Sequence, residues 1–421
     1  MDTNDPGPRD PAASDRAWAG ERGRMILEPS IINLNTGSFG PLPVPVFERV
    51  TELRRMLAAE PTHFFVRQLP PLLWNARERL AAYLGVLPQR LVFTANVSAA
   101  INLVASGLLL TAPGEILLTD HEYGAMRWCW ERAAQRLGMT LRAFPLPTMA
   151  GSPDEIIDAA TRAMTQRTRL FFFSHVLSPT GLVLPAKDLC AEARRRGIVT
   201  VVDGAHAPAM IHLNVSDVGA EFYTGNCHKW MLAPTGAGFL VLGPGNQHRL
   251  QPLHVSWGYR AEQYPLGEQD ASRRDPDARD TFGSTPRTRF LEFEGTRDVC
   301  PWLAVPEAID FQAGIGVDRI RQRIAELVEY TRSRIGAIGL PPATPPLPAL
   351  RGSMTAFELP VVGPKDANAL RQAIWKRRIE VPVIERPDRL LLRVSTHFYN
   401  TTAEIDRLAE ILPTVLGEVA G

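Results

Sequence analysis

Two short stretches of the 421-residue chain carry side chains that can do chemistry together. Val201-Val202-Asp203-Gly204-Ala205-His206-Ala207 closes an apolar run on an acid. Tyr223-Thr224-Gly225-Asn226-Cys227-His228-Lys229-Trp230 closes the next run on a His-Lys pair, with the lysine 26 positions after the acid. A carboxylate at the end of a buried strand can keep a proton on a heteroaromatic nitrogen, so that the ring draws electrons. A lysine in the following strand-end loop, desolvated and near cations, keeps a neutral amine that can form an imine with an aldehyde and then act as a base. A pyridoxal 5′-phosphate site acting at the α-carbon of an amino acid needs both, with Lys229 as the imine-forming amine and Asp203 facing the ring nitrogen. A lone lysine reads more readily as a surface residue; Asp203 and the apolar company of Cys227, Trp230 and Met231 reverse that reading.

The elements that must position this pair follow from periodicity. Short apolar runs alternate with amphipathic segments, the pattern of parallel strands joined by crossover helices. Strands are expected at Leu91 to Thr94, Glu115 to Thr119, Leu170 to Ser174, Ile198 to Asp203, Glu221 to Thr224 and Gly238 to Leu242. Helices are expected at Val97 to Leu110, Gly124 to Leu137, Pro153 to Met164 and Pro185 to Arg196, the last stopped by Gly197. These make a large α/β domain over 26–300, with 26–60 contributing to the smaller domain or the active site. A smaller α+β domain over 301–421 has a long helix near Val317 to Ile338, strands Met354 to Leu359 and Leu390 to Val394, and a helix near Lys365 to Lys376 between them. Residues 1–25, rich in Pro, Asp, Ala and Arg, read as a disordered tail. The polar Gln251 to Pro286 stretch reads as a candidate substrate lid.

Composition narrows the partners. With 46 basic against 45 acidic side chains the net charge is +1, which supplies no field to draw the chain to nucleic acid or to an anionic membrane. No run of about twenty apolar residues suggests a transmembrane span. Four scattered cysteines have neither zinc-site spacing nor the density of a disulfide scaffold, so no metal is expected and reduced thiols in a cytoplasmic setting are. A small-molecule amino-acid substrate is the expected partner.

The motif order resembles the class V aminotransferase family. Asn33-Leu34-Asn35-Thr36-Gly37-Ser38-Phe39-Gly40, Asp203 to Ala207 and Asn226 to Trp230 carry the resemblance, and the isopenicillin N epimerase-like branch, which includes cysteine-conjugate C-S lyases, is the nearest pattern. It implies a fold type I enzyme with a mostly parallel seven-stranded sheet flanked by helices. Thr94-Ala95-Asn96-Val97-Ser98 resembles the family's phosphate cup, and the local chemistry agrees: Ser98 can cap a helix, and the free amides from Val97 onward attract a dianion. An ordinary capped helix reads the same segment as well. His121-Glu122-Tyr123 resembles the segment whose aromatic ring lies over the pyridine, with Tyr123 preferred and His121 the alternative. By the same resemblance His206 meets the cofactor's phenolic oxygen, and Asn226 and His228 meet its phosphate. Gly295-Thr296 reaches the partner subunit's phosphate site in a homodimer, although a polar turn capped by Thr296 or Asp298 is the plainer reading. Arg393 grips the substrate α-carboxylate, with Asn35, Thr36 and Gly37 beside it; a planar fork suits that task.

Transamination, epimerisation and β-elimination all begin with loss of the α-proton, so Lys229 would serve in each. The 377–386 region contains no cysteine, which disfavours persulfide-forming desulfuration. From the resemblance the expected order is α,β-elimination on an S-substituted cysteine-type substrate, then amino-acid epimerisation, then transamination. A cofactor-binding relative without turnover is the non-enzymatic alternative.

Overall fold

The protein is described by a computed structural model covering residues 11–246, 248–260, 275–360 and 364–420. Its strands are β1 (Ile32–Asn33), β2 (Leu91–Thr94), β3 (Glu115–Thr119), β4 (Thr140–Phe144), β5 (Thr168–Ser174), β6 (Val199–Gly204), β7 (Phe222–Asn226), β8 (Gly238–Leu242), β9 (Met354–Glu358), β10 (Ile379–Glu380), β11 (Val383–Glu385) and β12 (Leu390–Ser395).

Seven of them form one sheet in the order β2-β8-β7-β6-β5-β3-β4. The neighbours from β4 to β7 are parallel, and β8 alone runs against its neighbours β7 and β2. This is the mostly parallel seven-stranded α/β sheet that the resemblance implies. Its central strands are buried along their whole length, as Val, Phe and Ile runs require when helices cover both faces. One apolar cluster, with Phe171, Phe173 and Val202, fills one face; another, with Ile116, Phe172 and Val201, fills the other. Alternate side chains of each strand thus supply opposite layers.

A smaller antiparallel sheet, β11-β12-β9, is backed by helices Val317–Gly336, Pro364–Lys376 and Thr402–Ala420. β1 pairs with β10, which brings the Asn33 to Gly40 segment against the carboxyl-terminal part of the chain. Leu34 and Val394 share a core there.

Two expectations need correction. Residues 11–22, within the segment read as a disordered tail, form helix Pro11–Arg22. Trp18 is buried in a cluster with Phe398, Asp15 pairs with the buried Arg323 and accepts from the Thr402 amide and hydroxyl, and Arg22 meets Glu404 at 2.8 Å. These long-range contacts outweigh a composition that would not fold alone. β4 was not expected either, because a mostly unburied strand at the sheet edge, with Thr140 and Arg142 in it, gives a weak apolar signal. Part of the anticipated lid, 261–274, lies outside the described residues.

Candidate active site

The carboxyl ends of β5, β6 and β7 open into a cavity of about 520 Å³, where ligands of open α/β sheets bind. Asp203 is the penultimate residue of β6, and Lys229 follows β7 by three positions. Their adjacency is fixed by the parallel register that pairs Asp203 with Thr224. Close packing at this edge depends on glycines: a Cβ on Gly225 would stand 2.3 Å from the Phe239 ring, and one on Gly40 would stand 2.2 Å from the Lys229 carbonyl oxygen.

Lys229 opens onto the cavity and is otherwise enclosed. Its Nζ lies 3.3 Å from Nε2 of His206. Burial, then the charge of Arg393, push its pKa down to about 7, with Asp203 opposing. Asp203 is buried; its Oδ1 accepts the Ala205 N–H at 2.8 Å, leaving Oδ2 for the cavity that the residue lines. Burial raises the Asp203 carboxyl, and the Ala205 amide and Lys229 pull it back. His206 lies between Lys229 and Trp230, whose Nε1–H it accepts at 3.4 Å, and burial holds it neutral, well below the ordinary imidazole range.

Helix Val97–Gly107 points its amino end into the same cavity, and Val97 and Ser98 line it. The cap is Asn96 and not Ser98: Asn96 has extended backbone and accepts the Ala99 N–H at 2.9 Å, while Ser98 sits inside the first turn. That leaves the Ser98 hydroxyl on the cavity wall. Asn226 accepts the Val97 N–H at 2.9 Å, and Nδ1 of His228 lies 3.3 Å from the Ala237 carbonyl. Both line the cavity.

Arg393, on β12, enters from the other sheet. It is buried and donates to the Ser178 carbonyl at 2.8 Å and hydroxyl at 3.0 Å, and to Asn35 Oδ1 at 3.1 Å. Its Nε has no partner, and among the described residues no carboxylate pairs with it. Burial lowers its pKa to about 10. A buried guanidinium without a counter-ion is a demand for an anion.

Tyr123 lines the cavity with 54% of its surface exposed, whereas His121 is buried away from it and holds Asp120 at 2.6 Å. Gly37 lines the cavity and Asn35 reaches it through Arg393; Thr36 does not, because its hydroxyl is spent on the Tyr399 hydroxyl in the core. Thr296 is exposed and lies away from this cavity in its own chain, while Asp298 accepts the Cys300 N–H, as a turn-capping residue would. Cys227 and Cys300 are buried thiols with pKa values raised by burial.

Several lining residues were not anticipated. Ser174 and Ser178 belong to a polar break, Ser174 to Gly181, right after an apolar strand, a signal that could have been read as a site loop. Glu122 lies beneath: it accepts from Ser174 and Thr119, and burial raises it to about 7. Nothing local in the sequence marks it as buried.

The description "Aminotransferase class-V" matches residues 40–408. The chain belongs to the aminotransferase class-V family. Two relatives extend over almost all of it: the isopenicillin N epimerase of Amycolatopsis lactamdurans, 57% identical over 94% of this chain and 98% of the relative, and that of Streptomyces clavuligerus, 54% identical over 95% and 99%. A solved structure of a C-DES mutant with glycine covalently linked to the PLP cofactor shares the fold, with a TM-score of 0.77 at 23% identity, covering 92% of this chain and 97% of that one.

The cofactor of this class-V enzyme is pyridoxal 5′-phosphate, and the cavity suits it: a buried carboxylate, a neutral amine, a helix amino end with a free hydroxyl, and an unpaired buried guanidinium stand around one space of ligand size. When bound, it takes up the electrons of a bond broken at an amino acid's α-carbon. Among the described residues no group of three or more His, Cys, Asp or Glu could hold a metal, and no helix is long and apolar enough to cross a membrane.

Proposed function

We propose that this enzyme epimerises the α-carbon of isopenicillin N, or of an amino acid with the same aminoadipyl end. The observation that carries the reading is identity above one half, over nearly full length, to two proteins named for that reaction. It supports inversion over the elimination that the family resemblance put first. The absence of cysteine from 377–386 and the burial of Cys227 and Cys300 fit a reaction that needs no nucleophilic sulfur.

In this reading Arg393, held by Ser178 and Asn35, takes the α-carboxylate through its fork. Lys229 would hold the cofactor and is the amine placed to accept the α-proton, its depressed pKa keeping it neutral near pH 7. Asp203 keeps the ring nitrogen protonated. His206 would face the phenolic oxygen and Tyr123 the ring, and Ser98 with the amides of its helix, Asn226 and His228 would hold the phosphate. The enzyme acts as a cytoplasmic homodimer in which Thr296 reaches the partner's phosphate site. Exposed Val255, Trp257 and Phe293 beside this segment supply an apolar surface suited to burial in a dimer.

Incubation with isopenicillin N in deuterated water, followed by chiral chromatography and mass spectrometry, tests the reading. Epimerised product deuterated at the α-carbon is expected. Formation of pyruvate and a thiol from S-substituted cysteines, with no inversion of isopenicillin N, would establish elimination instead.

A further inference from the structure

Inversion requires a proton to leave one face of the α-carbon and another to arrive on the opposite face. Among the described residues, the ionisable side chains lining the cavity are Tyr123, Asp203, His206, His228, Lys229 and Arg393. Four of these, Asp203, His206, His228 and Lys229, come from the ends of β6 and β7. His206 is tied to Lys229 and Trp230, His228 to the Ala237 carbonyl, and Asp203 to the Ala205 amide. Arg393 stays charged at any pH the enzyme meets.

Tyr123 differs in place and in freedom. It follows β3, which lies beyond β5 in the sheet order β7-β6-β5-β3, so its strand is three spacings from that of Lys229, roughly 14 Å between strand axes. The two side chains therefore approach the same cavity from opposite flanks, with the ends of β5 and β6 between them. The phenol has no hydrogen-bond partner among the described residues, and it lines the same cavity as Arg393. A hydroxyl that opens onto the cavity holding the carboxylate-binding group has access to the α-carbon bound there.

We infer that Tyr123 is a second catalytic residue, the proton carrier on the face opposite Lys229. This rests on the epimerase reading. In one direction the Lys229 amine accepts the α-proton and the Tyr123 hydroxyl gives its own proton to the other face of the same carbon, becoming phenolate; in the reverse direction the roles exchange. Each turnover removes one proton from the substrate and returns one, and solvent exchange resets both side chains, so no oxidant or reductant is involved.

Tyr123→Phe keeps the ring and removes only the exchangeable proton. With isopenicillin N in deuterated water, the parent enzyme is expected to place deuterium in the inverted product while the recovered starting isomer stays largely unlabelled at early times. Tyr123→Phe is expected to invert at least roughly 10²-fold more slowly, the usual contribution of an acid–base group, yet to continue exchanging the α-hydrogen of the starting isomer with retention. Its affinity for pyridoxal 5′-phosphate, measured by spectral titration of the apoprotein, should stay within about twofold of the parent's, because the removed hydroxyl is unbonded in the protein. Undiminished inversion in Tyr123→Phe, or full labelling of the parent's recovered starting isomer, overturns this role and leaves the epimerase reading standing. Absence of inversion in the parent overturns both.

Discussion

At the scale of single residues, the site is organised by two buried groups whose charges lack ordinary partners. Lys229 is poised at about pH 7 chiefly by desolvation. Because its pKa is depressed, the neutral amine predominates above that value and is lost below it. The rate at which apoprotein combines with pyridoxal 5′-phosphate should therefore rise with pH through about 7 and level off, as stopped-flow absorbance would record; Lys229→Ala should abolish the borohydride-sensitive band at every pH. Arg393 makes a different demand, for a planar double contact. Arg393→Lys should raise KM by roughly 10–100-fold, the equivalent of the ~1.5–3 kcal/mol assigned to a hydrogen bond with a charged group, with cofactor absorbance retained; steady-state kinetics on the purified holoenzyme would check this. Asp203 and Lys229 were legible in sequence because an acid and a lysine at consecutive strand ends are a rare pairing of polar groups with apolar runs. Ser178 and Glu122 were not, since their importance lies in what they touch: the Arg393 guanidinium in one case and the Ser174 hydroxyl in the other.

At the scale of elements, the apolar runs located six of the seven strands in the main sheet, and Gly124–Leu137 carries the helix expected there. β4 escaped notice because an edge strand with polar alternation resembles a loop. The pairing that ties helix Leu69–Leu84 and β2 to helix Pro286–Glu292 was equally hidden. Arg77, fully buried on helix Leu69–Leu84, meets Glu292 at 2.5 Å and Ser284 at 3.0 Å, while the second Glu292 oxygen accepts the Phe93 N–H at 3.0 Å. Removing the acid would leave a guanidinium enclosed without a counter-charge. Glu292→Ala should cost about 3–5 kcal/mol of stability, measurable by urea denaturation, whereas the outer pair Arg407 and Glu410, both exposed, should tolerate the same truncation with a change below about 1 kcal/mol.

Over the whole molecule, burial of imidazoles works against stability in acid. His175, His228 and His397 are each held near a pKa of about 4 by desolvation, against an ordinary 6.5. Between those values the unfolded chain binds protons that the native protein refuses, so stability falls as pH drops through this window and these three groups take no further part below about 4. The urea midpoint should be lower at pH 5 than at pH 7. His397 has another position of note, for it stacks on Trp230 at 6.0 Å and touches Phe398 at 4.9 Å, and Phe398 meets Trp18 at 5.7 Å. A relay of rings thus runs from the amino-terminal helix to the immediate neighbour of Lys229. Fusing an affinity handle upstream, or trimming the first two dozen residues to ease purification, would load or unseat the far end of that relay, and the colour of the preparation would report the disturbance before its yield did.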